Sequence, residues 1–432
     1  MVYLLYDIVL LLGMVVLIPW YIVRGCIRGK MRQGLRERLG FVSAAGLDAI
    51  DGRQVLWIHA VSVGETRAAI PLIKALRRTY PDAALVLSNV TETGREIAES
   101  IPDIDLRIYF PVDFSLAVTR ALDAIKPSLV LIVETELWPQ FVRKCKQRSI
   151  PVMLVNGRIS DRSFPRYRRV RALVRPVLHQ ISSFCMQSQQ DASRIEFLGA
   201  SPERVHVSGN VKFDQGEITP ANLDLTELRT RFALQEQAKI WVAGSTHQGE
   251  DEIVIRIYRQ LLQTFSDLIL ILVPRHPHRC RQIGELLAQE DLEWRLRSSA
   301  NKTLLQPGGV LLVDTLGEML DFYALANVVF VGGSLVPVGG HNILEASMVN
   351  KPVLFGPHMQ NFKEIAQHII AAQGFGEIAD EAELEQLVLH LLQNPVEAHT
   401  AGLHGSAILQ QHAGATSQTL AVARELLGSR HA

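Results

Sequence analysis

From Gly52 onward, short unbroken apolar runs alternate with longer amphipathic ones. Residues 55–59, 84–88, 129–133 and 152–155 read as strands buried on both faces. Residues 67–78, 116–125 and 137–148 read as the helices between them. Strands without polar alternation, each followed by a helix, predict a parallel sheet covered on both sides. The pattern breaks at residues 213–224, "FDQGEITPANLD", a polar stretch with Gly and Pro that reads as a linker. A second alternation follows, with strands at 239–243, 268–273, 310–313, 328–331 and 352–355 and helices at 251–264 and 283–288. Residues 381–427 read as mostly helical. Two doubly wound α/β domains are predicted, each binding ligands at the carboxyl ends of its strands.

The pattern at the amino end is different. Residues 3–23 are almost wholly apolar, interrupted by Asp7 and Pro19. A bilayer span needs about 20 residues. The stretch has neither the basic start nor the small-residue cleavage site of a secretory signal. Arg24, Arg28, Lys30, Arg32, Arg36 and Arg38 follow it. By the positive-inside rule that flank and the rest of the chain are cytoplasmic. A helix lying in the interface and a buried helix of a soluble domain are the alternatives.

Composition adds less. The 432 residues are 48% hydrophobic, enough for two cores, and 44 acidic residues balance 44 basic ones, so net charge names no partner. Cys26, Cys145, Cys185 and Cys280 are far apart, with no zinc spacing, which fits a reducing compartment.

Candidate chemistry gathers where strands end. "HAVSVGET" (residues 59–66) sets Glu65 at a helix start, where it can cap the helix or accept a proton. "ETELWP" (134–139) brings Glu134 and Glu136 to the end of another strand. "NGRIS" (156–160) follows the next one, and "GNVKFD" (209–214) carries Lys212. Arg158, Arg162, Arg166, Arg168, Arg169, Arg171 and Arg175, with Phe164 and Tyr167 among them, form either a solvated helix face or a surface for anionic lipid headgroups. In the second half, "GGSLVPVGGHNILEA" (332–346) is a glycine-rich turn leading into a helix at about Asn342, with Glu345 one turn in. Gly339 and Gly340 would let backbone amides approach a phosphate; the alternative is a plain turn capped by Asn342. Arg275 in "VPRHP" ends a buried strand and can fork onto phosphate. "GSTHQGEDE" (244–252) offers Ser245 and Thr246, either to a ligand or as caps. "DTLGEM" (314–319) opens a further helix. His276 and His278 alone make a poor metal site. "DID" (103–105) has the D-x-D form of metal-dependent sugar transferases but reads as a surface loop. No G-x-G-x-x-G or P-loop lysine motif occurs, which disfavours dinucleotide oxidoreductases and NTPases.

"HAVSVGET", "ETELWP", "GSTHQGE", "VPRHP" and "GGSLVPVGGHNILEA", in this order, resemble the blocks of the 3-deoxy-D-manno-octulosonic acid (Kdo) transferases. The resemblance runs from the amino-terminal anchor to the last helices, while the segment 214–239 carries no signature of that family. It implies a GT-B fold: two Rossmann-like doubly wound domains facing a central cleft, with an amino-terminal membrane-anchor helix. It also implies a bacterial inner-membrane enzyme of lipopolysaccharide synthesis, a metal-independent inverting transfer, no cofactor, and no nucleic-acid partner. The donor would be CMP-Kdo and the acceptor the lipid A precursor, lipid IVA. Glu65 would be the proton acceptor, with Glu134 and Lys212 stabilising the transition state. Pro274, Arg275, Leu316, Gly317, Glu318, Asn342, Ile343, Leu344 and Glu345 would hold CMP.

The expected organisation is an anchor with its basic flank (1–38), an acceptor-binding domain (39–212), a linker (213–238), and a nucleotide-sugar-binding domain that keeps the carboxyl-terminal helices (239–432). Another GT-B transferase, a non-hydrolysing nucleotide-sugar epimerase, and a membrane-tethered binding module without turnover are the competing functions.

Overall fold

The computed structural model describes residues 6–7, 10–11, 34–214, 223–299 and 304–428. Most of the apolar stretch 3–23, and Arg24, Arg28, Lys30 and Arg32 after it, lie outside the described residues. Among the described residues no helix is long and apolar enough to cross a membrane.

The chain forms two units, Met1–Gln215 with His412–Ala432, and Gly216–Gln411. The first is built on seven parallel strands: β1 Val55–His59, β2 Ala84–Asn89, β3 Leu106–Tyr109, β4 Leu129–Val133, β5 Val152–Gly157, β6 Ser183–Met186 and β7 Val205–Val207. Their spatial order is β3-β2-β1-β4-β5-β6-β7. Val55 pairs with Ala84 on one side of β1, and Leu56 with Leu129 on the other. All five residues of both β1 and β4 are buried, as continuous apolar runs in a doubly covered sheet should be. The order reverses between β1 and β4, so a crevice opens at the carboxyl ends of those two strands, the place where such sheets bind ligands.

The second unit carries β8 Ile240–Thr246, β9 Ile269–Pro274, β10 Trp294–Leu296, β11 Val310–Leu312, β12 Val328–Val331 and β13 Val353–Phe355. They lie in the order β10-β11-β9-β8-β12-β13, all parallel. Here the reversal falls between β8 and β12. The turns after β8, β9, β11 and β12 therefore occupy one edge of this sheet.

Two boundaries differ from the sequence reading. The last helix, Ala415–Gly428, does not belong to the second domain. Its Ala423 and Leu427 are buried with Leu56, Leu85 and Ile73 under the first sheet. An amphipathic pattern shows that a helix covers something but not which sheet it covers. The linker is also shorter than 213–238. Phe213 and Asp214 close a 3-10 turn of the first unit, and Leu225–Arg231 is a helix of the second. Arg229 there donates to the carbonyls of Gln235 and Ala238, and Phe232 packs on Phe322 with ring centroids 4.7 Å apart. Cys145, Cys185 and Cys280 are free and buried.

Leu427→Ala is expected to cost the first unit about 2–4 kcal/mol, the usual range for a large-to-small change in a core. It should leave the second unit's transition in place. Denaturation followed by peptide-resolved hydrogen exchange checks this; a shift in the second unit alone would return the tail to that domain.

Candidate active site

On the first unit the chemistry stands at the β1/β4 crevice. Ser62 caps the Val63–Thr79 helix, and Glu65 is that helix's third residue. The pair closes a reciprocal box. The Ser62 hydroxyl accepts from the Glu65 N–H and donates to Glu65 Oε1 at 2.8 Å, while Val61 N–H donates to Glu65 Oε2 at 2.7 Å. The Glu65 side chain is 8% exposed. Burial pushes its carboxyl up to about 7, against the pull of those two hydrogen bonds, and the neighbouring Glu134 and Glu136 push it the same way. Glu136 is itself raised, first by burial and then by Glu134. Three carboxyl groups from two strand ends thus share one crevice. Helix capping and an upward-shifted carboxyl coexist on Glu65.

Glu134 adopts a left-handed backbone, φ 60°, directly after β4. For a residue with a Cβ that conformation costs about 1–2 kcal/mol, and it is compensated in part by the Glu134 N–H bond to Val155 O at 2.8 Å. Asn156, at the end of β5, is also left-handed (φ 55°). Its side-chain oxygen accepts from Val211 N–H at 3.1 Å, and its carbonyl accepts from Gln187 at 2.9 Å. Gln187 in turn accepts from Asn210, whose own side chain accepts from Lys212 N–H at 3.0 Å. These buried amides set the turn Val211–Asp214 that carries Lys212. Val211 packs against Ala68 of the Glu65 helix and Ala415 of the last helix. Asp214 fixes the same turn by accepting from the N–H groups of Gly414 and Thr416, at 2.7 and 2.5 Å. Glu65, Glu134 and Glu136 are therefore electrostatic neighbours, and the Lys212 turn is built onto the Glu65 helix. The sequence reading did not single out Gln187, Asn210 or Asp214, because polar side chains scattered through loops carry no periodic signal.

The D-x-D reading as a surface loop needs correction at Asp105. That carboxylate is partly buried, pairs with Arg53 at 2.9 Å and Arg77 at 2.5 Å, and accepts from Leu85 N–H. Burial opposes its ionisation, but the Leu85 bond and the two arginines together hold it below the usual carboxylate range. It is a structural ion-pair centre.

The second unit sets its turns with one buried carboxylate. Glu250 accepts from the N–H groups of His247 (2.9 Å), Gly333 (2.7 Å), Ser334 (3.0 Å) and Leu335 (2.9 Å). It thereby ties the turn after β8 to the glycine-rich turn after β12. The sequence reading missed it. Thr246 gives its hydroxyl to Asp251 at 2.7 Å, and Arg279 pairs with that same aspartate. Thr246 is thus committed to the fold and not to a ligand. Ser245 is left-handed, φ 56°. His247 Nε2 lies 2.8 Å from His341 Nε2, so one ring must donate and the other accept.

Pro274 ends β9, and Arg275 N–H donates to Thr246 O at 2.9 Å. Leu316 is 78% exposed and Gly317 is left-handed, φ 88°. Glu318 accepts from Thr315 and from Arg231 and Arg297, which hold it low despite partial burial. The helix after the glycine-rich turn begins at Leu344, not Asn342, and has five residues. Asn342 accepts from Leu344 N–H and donates to Glu345 at 3.1 Å. Gly339 and Gly340 serve the protein's own packing. Both are left-handed, a Cβ on either would run into Asn361 or Met359, and the Gly340 N–H is taken by Gly333 O at 2.7 Å. Pro274, Arg275 and Leu316–Glu318 lie at the ends of β9 and β11, and Asn342–Glu345 in the segment after β12, so the candidate nucleotide residues share one edge of this sheet. Among the described residues no three His, Cys, Asp or Glu side chains converge as metal ligands.

Residues 33–215 match the family model of 3-deoxy-D-manno-octulosonic-acid transferase (kdotransferase). The 3-deoxy-D-manno-octulosonic acid transferase of Haemophilus influenzae is 35% identical over 90% of this chain and 91% of its own length. That of Chlamydophila psittaci is 28% identical over 96% and 94%. Among solved structures, UDP-GlcNAc 2-epimerase from Neisseria meningitidis aligns over 85% of this chain and 99% of its own, at TM-score 0.58 and 15% identity. A glycosyltransferase from Rickettsia africae aligns over 87% and 99%, at TM-score 0.55 and 13% identity. These two share the fold.

The upward shift of the Glu65 carboxyl, which makes it a weaker acid, has a thermodynamic consequence. Between about 4.5, the usual value, and about 7 the folded chain keeps a proton that the unfolded chain has lost. Stability contributed at this residue is therefore present below about 4.5 and is lost as pH rises through about 7. Glu65→Gln, which keeps an acceptor for the box, is expected to stabilise the first unit at pH 8 by about 1–3 kcal/mol and to have little effect at pH 4. Urea titrations at the two pH values check this; destabilisation at pH 8 would contradict the assignment.

Proposed function

Since the chain belongs to the 3-deoxy-D-manno-octulosonic acid transferases, and is thus a glycosyltransferase, we propose that it moves Kdo from CMP-Kdo to the lipid A precursor, lipid IVA, with inversion, and that Glu65 is the general base. The first unit takes the acceptor and the second takes CMP-Kdo, the division of labour of GT-B enzymes. The observation that carries this reading is Glu65: a buried carboxyl at a strand-end crevice, poised at about 7 by burial and by two neighbouring carboxyl groups.

The step balances simply. An acceptor hydroxyl attacks the anomeric carbon of Kdo and forms the new C–O bond. Its proton passes to Glu65, and the bond from the anomeric carbon to the CMP phosphate oxygen breaks, with the electron pair leaving on CMP. A base whose acidity lies near the working pH combines an available ionised form with a useful drive to take the proton. The leaving group is already a stable phosphate, so it needs charge stabilisation more than protonation. Arg275 supplies that at the end of β9, with Pro274, Leu316, Gly317, Glu318, Asn342, Ile343, Leu344 and Glu345 as the remaining CMP contacts. Glu134 and Lys212 shape the field around the reacting centre. The reading requires neither a metal nor a cofactor.

A lipid acceptor calls for a membrane. In this reading the enzyme works at the cytoplasmic face of the inner membrane. Arg162, Arg166, Arg168 and Arg169 are exposed, and no described acidic residue pairs with them, as suits anionic headgroups.

Purified enzyme given CMP-Kdo and lipid IVA is expected to yield Kdo-bearing lipid, identified by mass; none from folded protein would overturn the reading. The kcat/KM should fall tenfold per pH unit below about 7. Glu65→Gln should lower turnover by 10²–10⁴-fold with CMP affinity within about twofold of wild type by calorimetry. Residual activity above a tenth would remove Glu65 from its role.

A further inference from the structure

The turns after β8 and β12 are tied together a second time, by two imidazoles. His247 Nε2 and His341 Nε2 are 2.8 Å apart, with ring centroids at 5.1 Å and ring planes 6° from parallel. Gly333 seats both rings: a Cβ there would lie 2.8 Å from His341 and 3.4 Å from His247. His276 stands edge-on to His247, with centroids 5.7 Å apart. Arg275 N–H is bonded to the carbonyl of Thr246, the residue before His247. The arginine assigned to the phosphate and the histidine pair are thus neighbours on one edge of the second sheet.

The short contact links the tautomers of the two rings. A neutral imidazole carries one N–H. The ring that accepts at Nε2 therefore has its hydrogen on Nδ1. If His341 donates, His247 presents an Nδ1–H. That nitrogen has no hydrogen-bond partner among the described residues, and its side chain is half-buried. Burial holds His247 below the usual imidazole range, against the pull of Glu250 and with the push of His276, Arg279 and Arg275. The ring is accordingly neutral at ordinary pH, the state in which two imidazoles share one hydrogen.

The chemistry of the donor supplies an acceptor for that N–H. An octulosonic acid is a 2-keto acid, so in its CMP ester one anomeric carbon bears both the phosphate oxygen and a carboxylate. A site for this donor has to satisfy two anionic groups fixed on the same atom. Arg275 takes the first, and the histidine pair adjoins it.

We propose that His247 reads the carboxylate of the donor sugar by donating from Nδ1, and that His341 is a positioning residue that holds His247 in the required tautomer. The hydrogen bonds run in one direction, from His341 Nε2–H to His247 Nε2 and from His247 Nδ1–H to the carboxylate. A donor without that carboxylate leaves the Nδ1–H without an acceptor, which is how a site built for a polar group rejects an analogue lacking it. The inference rests on the donor named in the functional reading.

The test uses the full chain, with CMP affinity measured by calorimetry and KM and kcat for CMP-Kdo measured by transfer to lipid IVA. His341→Phe keeps a ring over Gly333 but cannot donate. His341→Gln places an amide N–H near the position of Nε2. His341→Phe is expected to raise KM for CMP-Kdo by about 10–100-fold, the worth of a hydrogen bond to a charged group, with CMP affinity within about twofold of wild type. His341→Gln is expected to recover most of that loss. In the same way His247→Asn, with a donor near the position of Nδ1, should outperform His247→Phe. An unchanged KM in His341→Phe would overturn the proposal. So would equal weakening of CMP and CMP-Kdo, which would make the pair a brace between the two turns and nothing more. Wild-type protein that binds CMP but makes no product from CMP-Kdo would sink the functional reading and this inference together, whereas the variant results bear on the histidine pair alone.

Discussion

The carboxylate of Glu65 is the group on which the proposed chemistry of the first unit depends, and the helix start that positions it also buries it. The Val61 N–H and the Ser62 hydroxyl hold both oxygens, so the side chain has little rotational freedom to lose. Burial and the Glu134 and Glu136 carboxyls work against its ionisation. A surface capping glutamate would have the hydrogen bonds without the burial and would stay ionised at ordinary pH. A glutamate buried without the box would lack a fixed direction. The helix N-terminus supplies order, and burial in the crevice between β1 and β4 supplies the upward shift.

The second unit uses a different arrangement for the same end. Glu250 is wholly enclosed, and its lone pairs go to four backbone N–H groups from two turns. No atom of that carboxylate is left for a ligand. It makes a rigid edge from the turns after β8 and β12, and the second of these leads into the segment around Asn342. The first unit fixes the Lys212 turn in a comparable way with Asn156, Gln187, Asn210 and Asp214.

Much of the fold is legible from apolar runs, because a buried parallel strand has no polar alternation to hide it. β1, β4 and β12 fall where the runs predict. β6 and β7 escape such a reading: they are four and three residues long and contain Ser, Cys and an exposed His. β10 escapes it too, being a half-exposed edge strand of three residues. Glu65 is legible as a capping residue from its spacing to Ser62, but its shift is not, since it comes first from burial in the folded crevice and then from Glu134 and Glu136 of another strand end. The same limit explains the last helix, whose apolar face is plain while its partner sheet is not, and the paired glycines 339 and 340, whose neighbours Met359 and Asn361 lie outside any local motif.

That last helix bears on how the protein is made. Between Gln215 and His412 the ribosome must complete the whole second unit before the chain returns to the first. At roughly 5–20 residues per second this takes on the order of 10–40 s. Through that interval the sheet face around Leu56 and Ile73 lacks its cover, and Asp214 lacks the amides of Gly414 and Thr416. The nascent chain therefore holds an exposed apolar surface and an unanchored Lys212 turn until residues 412–428 emerge. A chain stopped before them leaves the first unit's core open on that face.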